Sequence, residues 1–260
     1  MPKFGLIVLL ALLVFALLVL PFIALLWQVL LGQSWTMLKD TDVLVSLRLS
    51  ILTSLSAMLF IVLLASPLAY ILARYDFPFK KFVEALLDIP MLLPPVVAGI
   101  GLLLVFGRNG LIGGFLTPWG VRIPFSTAAV VIAQMFVAMP FYLRAMKVGF
   151  AAIATGVEEA AQIDGANTWQ RFVYIVWPLT LPAFVEGFVL AWARALGEFG
   201  ASIVFAGSIA AKTRTMPLAI YGVLEHDIDK ALSLAALLGL LSLGMFWFVR
   251  TLSSINPYKI

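Results

Sequence analysis

The chain has 260 residues, of which 63% are hydrophobic and only 12% are charged, and its formal net charge is +4. Soluble domains carry about twice that share of charged residues, so the composition predicts an integral membrane protein. Cysteine is absent, which excludes disulfides and thiolate metal ligands. No GxxxxGK[ST] segment occurs, which excludes a P-loop nucleotide site. If this protein is driven by ATP, a separate polypeptide must hold the nucleotide.

Six apolar runs are long enough to cross a bilayer, which takes about 20 helical residues. We therefore predict an all-α integral membrane protein with one transmembrane domain over residues 1–260. The first run is too long for the apolar core of a signal peptide, so we expect it to be retained. The six spans are predicted at residues 6–31, 43–73, 82–106, 125–150, 179–205 and 231–252.

The third run is interrupted by Asp88, Pro90, Pro94 and Pro95. Such breaks are tolerated at membrane depth only where protein or water satisfies the freed backbone groups. Two interpretations remain open: one broken span, or a loop or interfacial helix followed by a shorter span that begins near Pro94.

The orientation prediction rests on Lys and Arg in short loops. With a cytoplasmic N-terminus, nine of these residues fall on the cytoplasmic side and seven on the other. We predict that both termini, and the polar segment between the fourth and fifth spans, are cytoplasmic.

That polar segment, residues 155–178, is the longest polar-rich passage of the chain. Thr155 and Glu158 fit a capping box that starts a short helix, and Gly165 fits the left-handed turn that ends it. Asn167 or Thr168 is predicted to cap a second short helix, which Pro178 closes. An ordinary cytoplasmic loop is the alternative.

Several residues of this segment stand at fixed offsets from one another. Glu159-Ala160-Ala161 is followed after three residues by Gly165, after nine more by Ile175, and then by Trp177-Pro178. This pattern resembles the EAA motif of ATP-binding-cassette (ABC) importer permeases, although that family has leucine where Trp177 stands. The resemblance implies coupling helices that dock on an ATPase subunit, with these ATPase-coupling residues: Glu158, Glu159, Ala160, Ala161, Asp164 and Gly165.

The predicted fifth span carries Glu186, Arg194 and Glu198. Each charge costs about 2.5–3.5 kcal/mol at the centre of a membrane helix, so such residues usually face the interior of the bundle. Arg194, Glu198 and Ser202 are four residues apart and are predicted to share one face, beside a stripe of small residues that includes Gly197. These four residues are candidates for a translocation path or gate. An Arg194–Glu198 pair that only stabilises the bundle is the alternative.

The passage ARALGEFGASIVFAG, followed by KTRTMPLAIY at residues 212–221, resembles the molybdate/tungstate importer permeases, which are related to the sulfate permeases. The resemblance implies the type I ABC importer permease fold, with six transmembrane helices in each subunit of a homodimer in the inner membrane. It also implies two cytoplasmic ATPase subunits, an extracytoplasmic oxyanion-binding protein, no cofactor and no nucleic acid. Uptake of molybdate or tungstate by alternating access is the expected function, with sulfate or thiosulfate as the alternative substrate.

Lys212 and Arg214 lie in the loop that would face the binding protein, although a solvated basic loop is an equal alternative. His226 is the only histidine, and we predict no metal site there. An intramembrane enzyme built on Arg194 and Glu198 is a hypothesis of a different class, but the sequence has no HExxH or GxSxG motif. A channel or secondary transporter would leave the polar segment unexplained.

Overall fold

The computed structural model describes residues 2–31 and 40–254, and every regular element in these ranges is helical. Two long helices come first, α1 (Pro2–Leu31) and α2 (Thr41–Arg74). The side chain of Asp40 caps the start of α2 by accepting from the amide of Asp42 at 2.9 Å. The remaining helices are α3 (Lys80–Leu92), α4 (Pro95–Phe106), α5 (Gly113–Leu116), α6 (Thr127–Ala152), α7 (Thr155–Ile163), α8 (Thr168–Arg171), α9 (Trp177–Leu196), α10 (Gly200–Phe205), α11 (Met216–Leu224) and α12 (Ile228–Ser254).

Within the described residues, five helical segments are long and apolar enough to span a membrane, and the pair α3–α4 makes a sixth if it counts as one span. This pair bends by 115° between Leu92 and Pro95. At 1.5 Å per residue, the 12 residues of α4 extend about 18 Å, which is too short to cross a bilayer alone. The prolines therefore predict the position of the break, and the sharp bend is consistent with a broken third span or with an interfacial helix followed by a second helix that begins at Pro95.

The predicted fifth span, 179–205, is also wrong in its bounds. Helical structure begins at Thr168, passes through a π turn at Phe172–Val176, and continues to Leu196. Pro178 does not close a short helix as predicted. In a regular α-helix its ring would clash with the carbonyl of Tyr174, but the wider π turn includes Tyr174.

The far end of that span breaks at Gly197, and α10 begins at Gly200. Arg194, Glu198 and Ser202 therefore do not lie on one continuous helical face, contrary to the prediction. Glu198 supports the break, because one carboxylate oxygen accepts from the amide of Ala201 at 2.7 Å.

The main core lies among α2, α6 and α9, which bury Met58, Ile61, Tyr142 and Phe150 together. Two glycines allow α6 and α9 to approach closely. A Cβ on Gly149 would lie 2.3 Å from the Cβ of Ala183, and a Cβ on Gly187 would lie 2.8 Å from that of Ala145. A second cluster joins α4, α6 and α10, and a third joins α2, α11 and α12. The first helix is almost wholly exposed and packs against α12.

Candidate functional site

The polar segment forms α7, a turn and α8 at one end of the bundle, which we call the coupling end. Gly165 has φ +88° and makes the turn, as predicted. Asn167 caps α8 in a reciprocal arrangement with Gln170, with both hydrogen bonds at 2.9 Å. The predicted cap at Thr155 is wrong, because Ala154 is the N-cap and Thr155 is already helical; the Thr155 side chain lies outside the described part of the structure.

Glu158 contacts the bundle instead of completing that cap. Its carboxylate pairs with Nη2 of Arg74 at the end of α2, and the hydroxyl of Tyr70 donates to it at 3.4 Å. Arg74 also donates through Nη1 to the carbonyl of Ile153, the residue that ends α6, at 2.9 Å. Sequence reasoning missed Arg74 because no local pattern joins it to a helix 84 residues away.

Most of the other predicted coupling residues are exposed on α7 and its turn. Glu159, Ala160, Asp164 and Gly165 are exposed, and Ala161 is half-buried. Large apolar side chains are also exposed beside them: Val157, Ile163, Trp169 and Tyr174. A cavity of about 730 Å³ lies between this segment and the end of α2.

The predicted path residues separate into two groups. Glu198 and Ser202 are buried, whereas Arg194 is half-buried and Gly197 is exposed. Nη1 of Arg194 donates to Oε2 of Glu198 at 2.9 Å, so the two charges neutralise each other within one chain. Among the described residues the hydroxyl oxygen of Ser202 has no hydrogen-bond partner.

Glu186 differs from this pair. It lies within the Thr168–Leu196 span, its side chain is exposed, and it has no hydrogen-bond or ion-pair partner in the described part of the chain. It lies on a stripe of exposed residues along α9, namely Pro182, Glu186, Leu190, Ala193 and Gly197. Such a carboxylate is unfavourable against lipid, so this face of α9 points toward protein or water.

At the opposite end of the bundle, Lys212 is exposed and its carbonyl accepts from the hydroxyl of Thr127 at 2.9 Å. Arg214 is half-buried and donates to the hydroxyl and carbonyl of Ser208, at 3.2 and 3.4 Å. Of the two predicted contact residues, therefore, Lys212 is exposed to solvent, and the guanidinium of Arg214 binds within its own loop.

Comparison with known sequences identifies the family. The profile described as "Binding-protein-dependent transport system inner membrane component" matches residues 65–254. The molybdenum transport system permease protein ModB of Mycobacterium tuberculosis is 40% identical over 218 residues, which are 84% of this chain and 83% of that protein. The probable transport system permease protein NifC of Clostridium pasteurianum is 38% identical over 217 residues, 82% and 75% of the two chains. The sulfate transport system permease protein CysT of Escherichia coli is 34% identical over 224 residues, 86% and 81%.

Solved structures agree on the fold. A bacterial alginate ABC transporter, in complex with a periplasmic protein bound to an alginate pentasaccharide, matches with a TM-score of 0.74, 18% identity and coverage of 99% of this chain and 96% of that one. The MetNI methionine ABC transporter, in inward-facing conformations, matches with a TM-score of 0.62, 17% identity and coverage of 85% and 97%. The predicted all-helical fold of an ABC importer permease is confirmed. The chain belongs to the family of binding-protein-dependent transport system inner membrane components, multi-pass subunits of ABC importers.

Proposed function

We propose that this chain is the permease subunit for an oxyanion, molybdate or tungstate, which an extracytoplasmic binding protein delivers. The observation that carries the proposal is the identity of 40% with a molybdenum permease across most of both chains. The sulfate permease, at 34%, supports sulfate as the second candidate substrate. ATP hydrolysis belongs to a separate ATPase subunit, since this sequence has no P-loop.

The working unit in this proposal has two copies of the chain, two ATPase subunits in the cytoplasm and one binding protein outside. The exposed α9 stripe with Glu186 supports a second copy, because a protein or aqueous neighbour removes the cost of holding a carboxylate against lipid. The coupling end, and with it both termini, then lies in the cytoplasm.

Transport proceeds by alternating access. Closure of the ATPase dimer moves the polar segment, residues 155–178, which we call the coupling segment. Its exposed residues Glu159, Ala160, Asp164 and Gly165 meet the ATPase. The break at Gly197 forms the gate region, where the Arg194–Glu198 pair supports the bend and the buried hydroxyl of Ser202 lies nearby in α10. Lys212 faces the binding protein, and Arg214 shapes the same loop.

The test is ATP hydrolysis by the reconstituted permease–ATPase complex in liposomes. Binding protein is added empty or loaded with molybdate, tungstate or sulfate. Stimulation by the molybdate- or tungstate-loaded protein alone is expected. Stimulation by the sulfate-loaded protein would move the substrate to sulfate, and the absence of any stimulation would contradict the proposal.

A further inference from the structure

Arg74 joins three elements at the coupling end. It is the last residue of α2, its Nη1 binds the carbonyl of Ile153 at the end of α6, and its Nη2 binds the carboxylate of Glu158 on α7. The side chains of Arg74 and Glu158 are only 11% and 15% exposed. A guanidinium holds two acceptors at once in fixed directions, which a lysine ammonium on its flexible stem does less well.

Little else attaches α7 to the bundle. None of its described side chains is buried, and its neighbour in the fold is the short helix α8. The cavity of about 730 Å³ lies behind it, lined in part by Tyr70, Arg74 and Phe172. Because none of its described side chains is buried, α7 is held mainly by polar contacts: those of Glu158 with α2, and the hydrogen bond at 2.8 Å from Nη1 of Arg171 to Oε1 of Gln162, which joins α7 to α8.

Two consecutive glutamates of α7 therefore point in different directions. Glu158 is directed at the bundle, whereas Glu159 is exposed to solvent at the edge of the same cavity. A partner that docks on the outer side of α7 meets Glu159, whereas a displacement of α7 reaches the bundle through Glu158.

We infer that Arg74 is a positioning residue that transmits the movement of α7 to the ends of α2 and α6 together. This inference rests on the proposed function, since it assigns a path to the coupling between ATPase and permease. The ion pair moves as one unit with α7, so that ATP-driven displacement of this helix displaces two spans of the core.

The experiment is a double-mutant cycle in the reconstituted complex with Arg74→Gln, Glu158→Gln and the double variant. It measures anions imported per ATP hydrolysed and the stimulation of hydrolysis by loaded binding protein. We expect each single variant to lower import per ATP at least about five-fold, the lower range of coupling effects between sites. We expect the double variant to be no worse than the worse single variant, because both changes break one contact. Effects that multiply would mean that the two residues act separately and would overturn the inference.

Asp76→Asn is the matched control. It breaks the ion pair of Lys80 and the exposed Asp76 at the same end of the molecule, 2.9 Å in length, in which neither partner belongs to α6 or α7. We expect import per ATP to be unchanged in this variant.

Two further measurements separate a loss of transmission from a loss of assembly or docking. If Arg74→Gln does not assemble with the ATPase, as judged by size-exclusion chromatography, Glu158→Gln still decides, since it leaves the Arg74–Ile153 bond in place. Raising the ATPase concentration should rescue Glu159→Gln but not Glu158→Gln; rescue of both would place Glu158 in the docking surface and contradict the inference. Failure of the wild-type complex to respond to any loaded binding protein would instead refute the proposed function itself.

Discussion

The chain contains two Arg–Glu pairs in very different surroundings. Arg194 and Glu198 lie four residues apart, Glu198 is 1% exposed, and the pair holds a break within one span. Arg74 and Glu158 belong to different helices, and a large cavity lies beside them. In the first pair the carboxylate is buried, whereas the Arg194 side chain is 28% exposed. The second joins α7, which has no buried side chain among those described, to the end of α2, so it suits the transmission of motion.

The largest expected effect in this comparison follows from removing the buried carboxylate. Glu198→Ala leaves Arg194 without its partner and the buried amide of Ala201 without its acceptor. Breaking a fully buried ion pair from one side costs about 3–5 kcal/mol. Because the remaining Arg194 side chain is 28% exposed, we expect a cost at the lower end of this range and a clear fall in the melting temperature of the permease in detergent. Tryptophan fluorescence during heating measures it.

Glu198→Gln is the control for this prediction, since its amide oxygen still accepts from Ala201 while the charge is lost. Its melting temperature should lie between those of the wild type and Glu198→Ala. If Glu198→Ala melts like the wild type but fails to transport, the carboxylate acts in the path and not in holding the break.

The break at Gly197 and the helix α7 also differ in the space around their glycines. A Cβ on Gly200, beside the break, would lie 2.4 Å from the Cβ of Pro95, whose ring cannot move aside. A Cβ on Gly156, in α7, would meet nothing within 4 Å. Overpacking of a core contact typically costs about 1–3 kcal/mol, so Gly200→Ala should lower the melting temperature.

Gly156→Ala is the matched substitution in the coupling segment. Alanine is favoured over glycine in a helix by about 0.5–1 kcal/mol, so this variant should melt at the same temperature as the wild type or slightly above it. Equal destabilisation by both substitutions would show that α7 is packed as tightly as the break.

Sequence reasoning succeeded where the cause is local. The turn at Gly165 and the cap at Asn167 depend on neighbouring residues, so spacing was enough to predict both. The prediction that Pro178 closes a short helix failed, because no simple sequence pattern indicates the π turn that precedes this proline. Sequence reasoning could not place Arg74 against Glu158, since that contact depends on how three helices pack.

In the coupling segment, Gly165 is required by its backbone conformation and not by lack of space. Nothing lies within 4 Å of a Cβ on Gly165, but its φ of +88° is unfavourable for other residues. Left-handed backbone costs an L-residue roughly 1–2 kcal/mol. We expect Gly165→Ala to reorient α8 relative to α7 and lower anion uptake, with little change in melting temperature.

Gly165→Asn sharpens this prediction, because asparagine tolerates the left-handed region better than alanine does. It should retain more uptake than Gly165→Ala, as measured by radiolabelled anion entering liposomes. Equal uptake in the wild type and Gly165→Ala would mean that the angle between α7 and α8 does not matter for coupling.

A third ion pair, at the end of the bundle opposite to the coupling end, should contribute the least to stability. Nζ of Lys230 donates to Oδ2 of Asp40 at 2.7 Å, with both side chains partly exposed. This hydrogen bond holds the pKa of Asp40 below its ordinary value, which is about 3.9.

A pKa that is lowered in the folded state adds stability at pH values above the ordinary pKa, and this stability is lost as the pH falls through the lowered pKa. Because exposed pairs contribute about 0–1 kcal/mol, Asp40→Asn should lower the melting temperature slightly at pH 7, and the difference should shrink as the pH falls below the ordinary pKa of an aspartate. A difference that stays constant over this range would mean that the asparagine perturbs the start of α2 and not the ion pair.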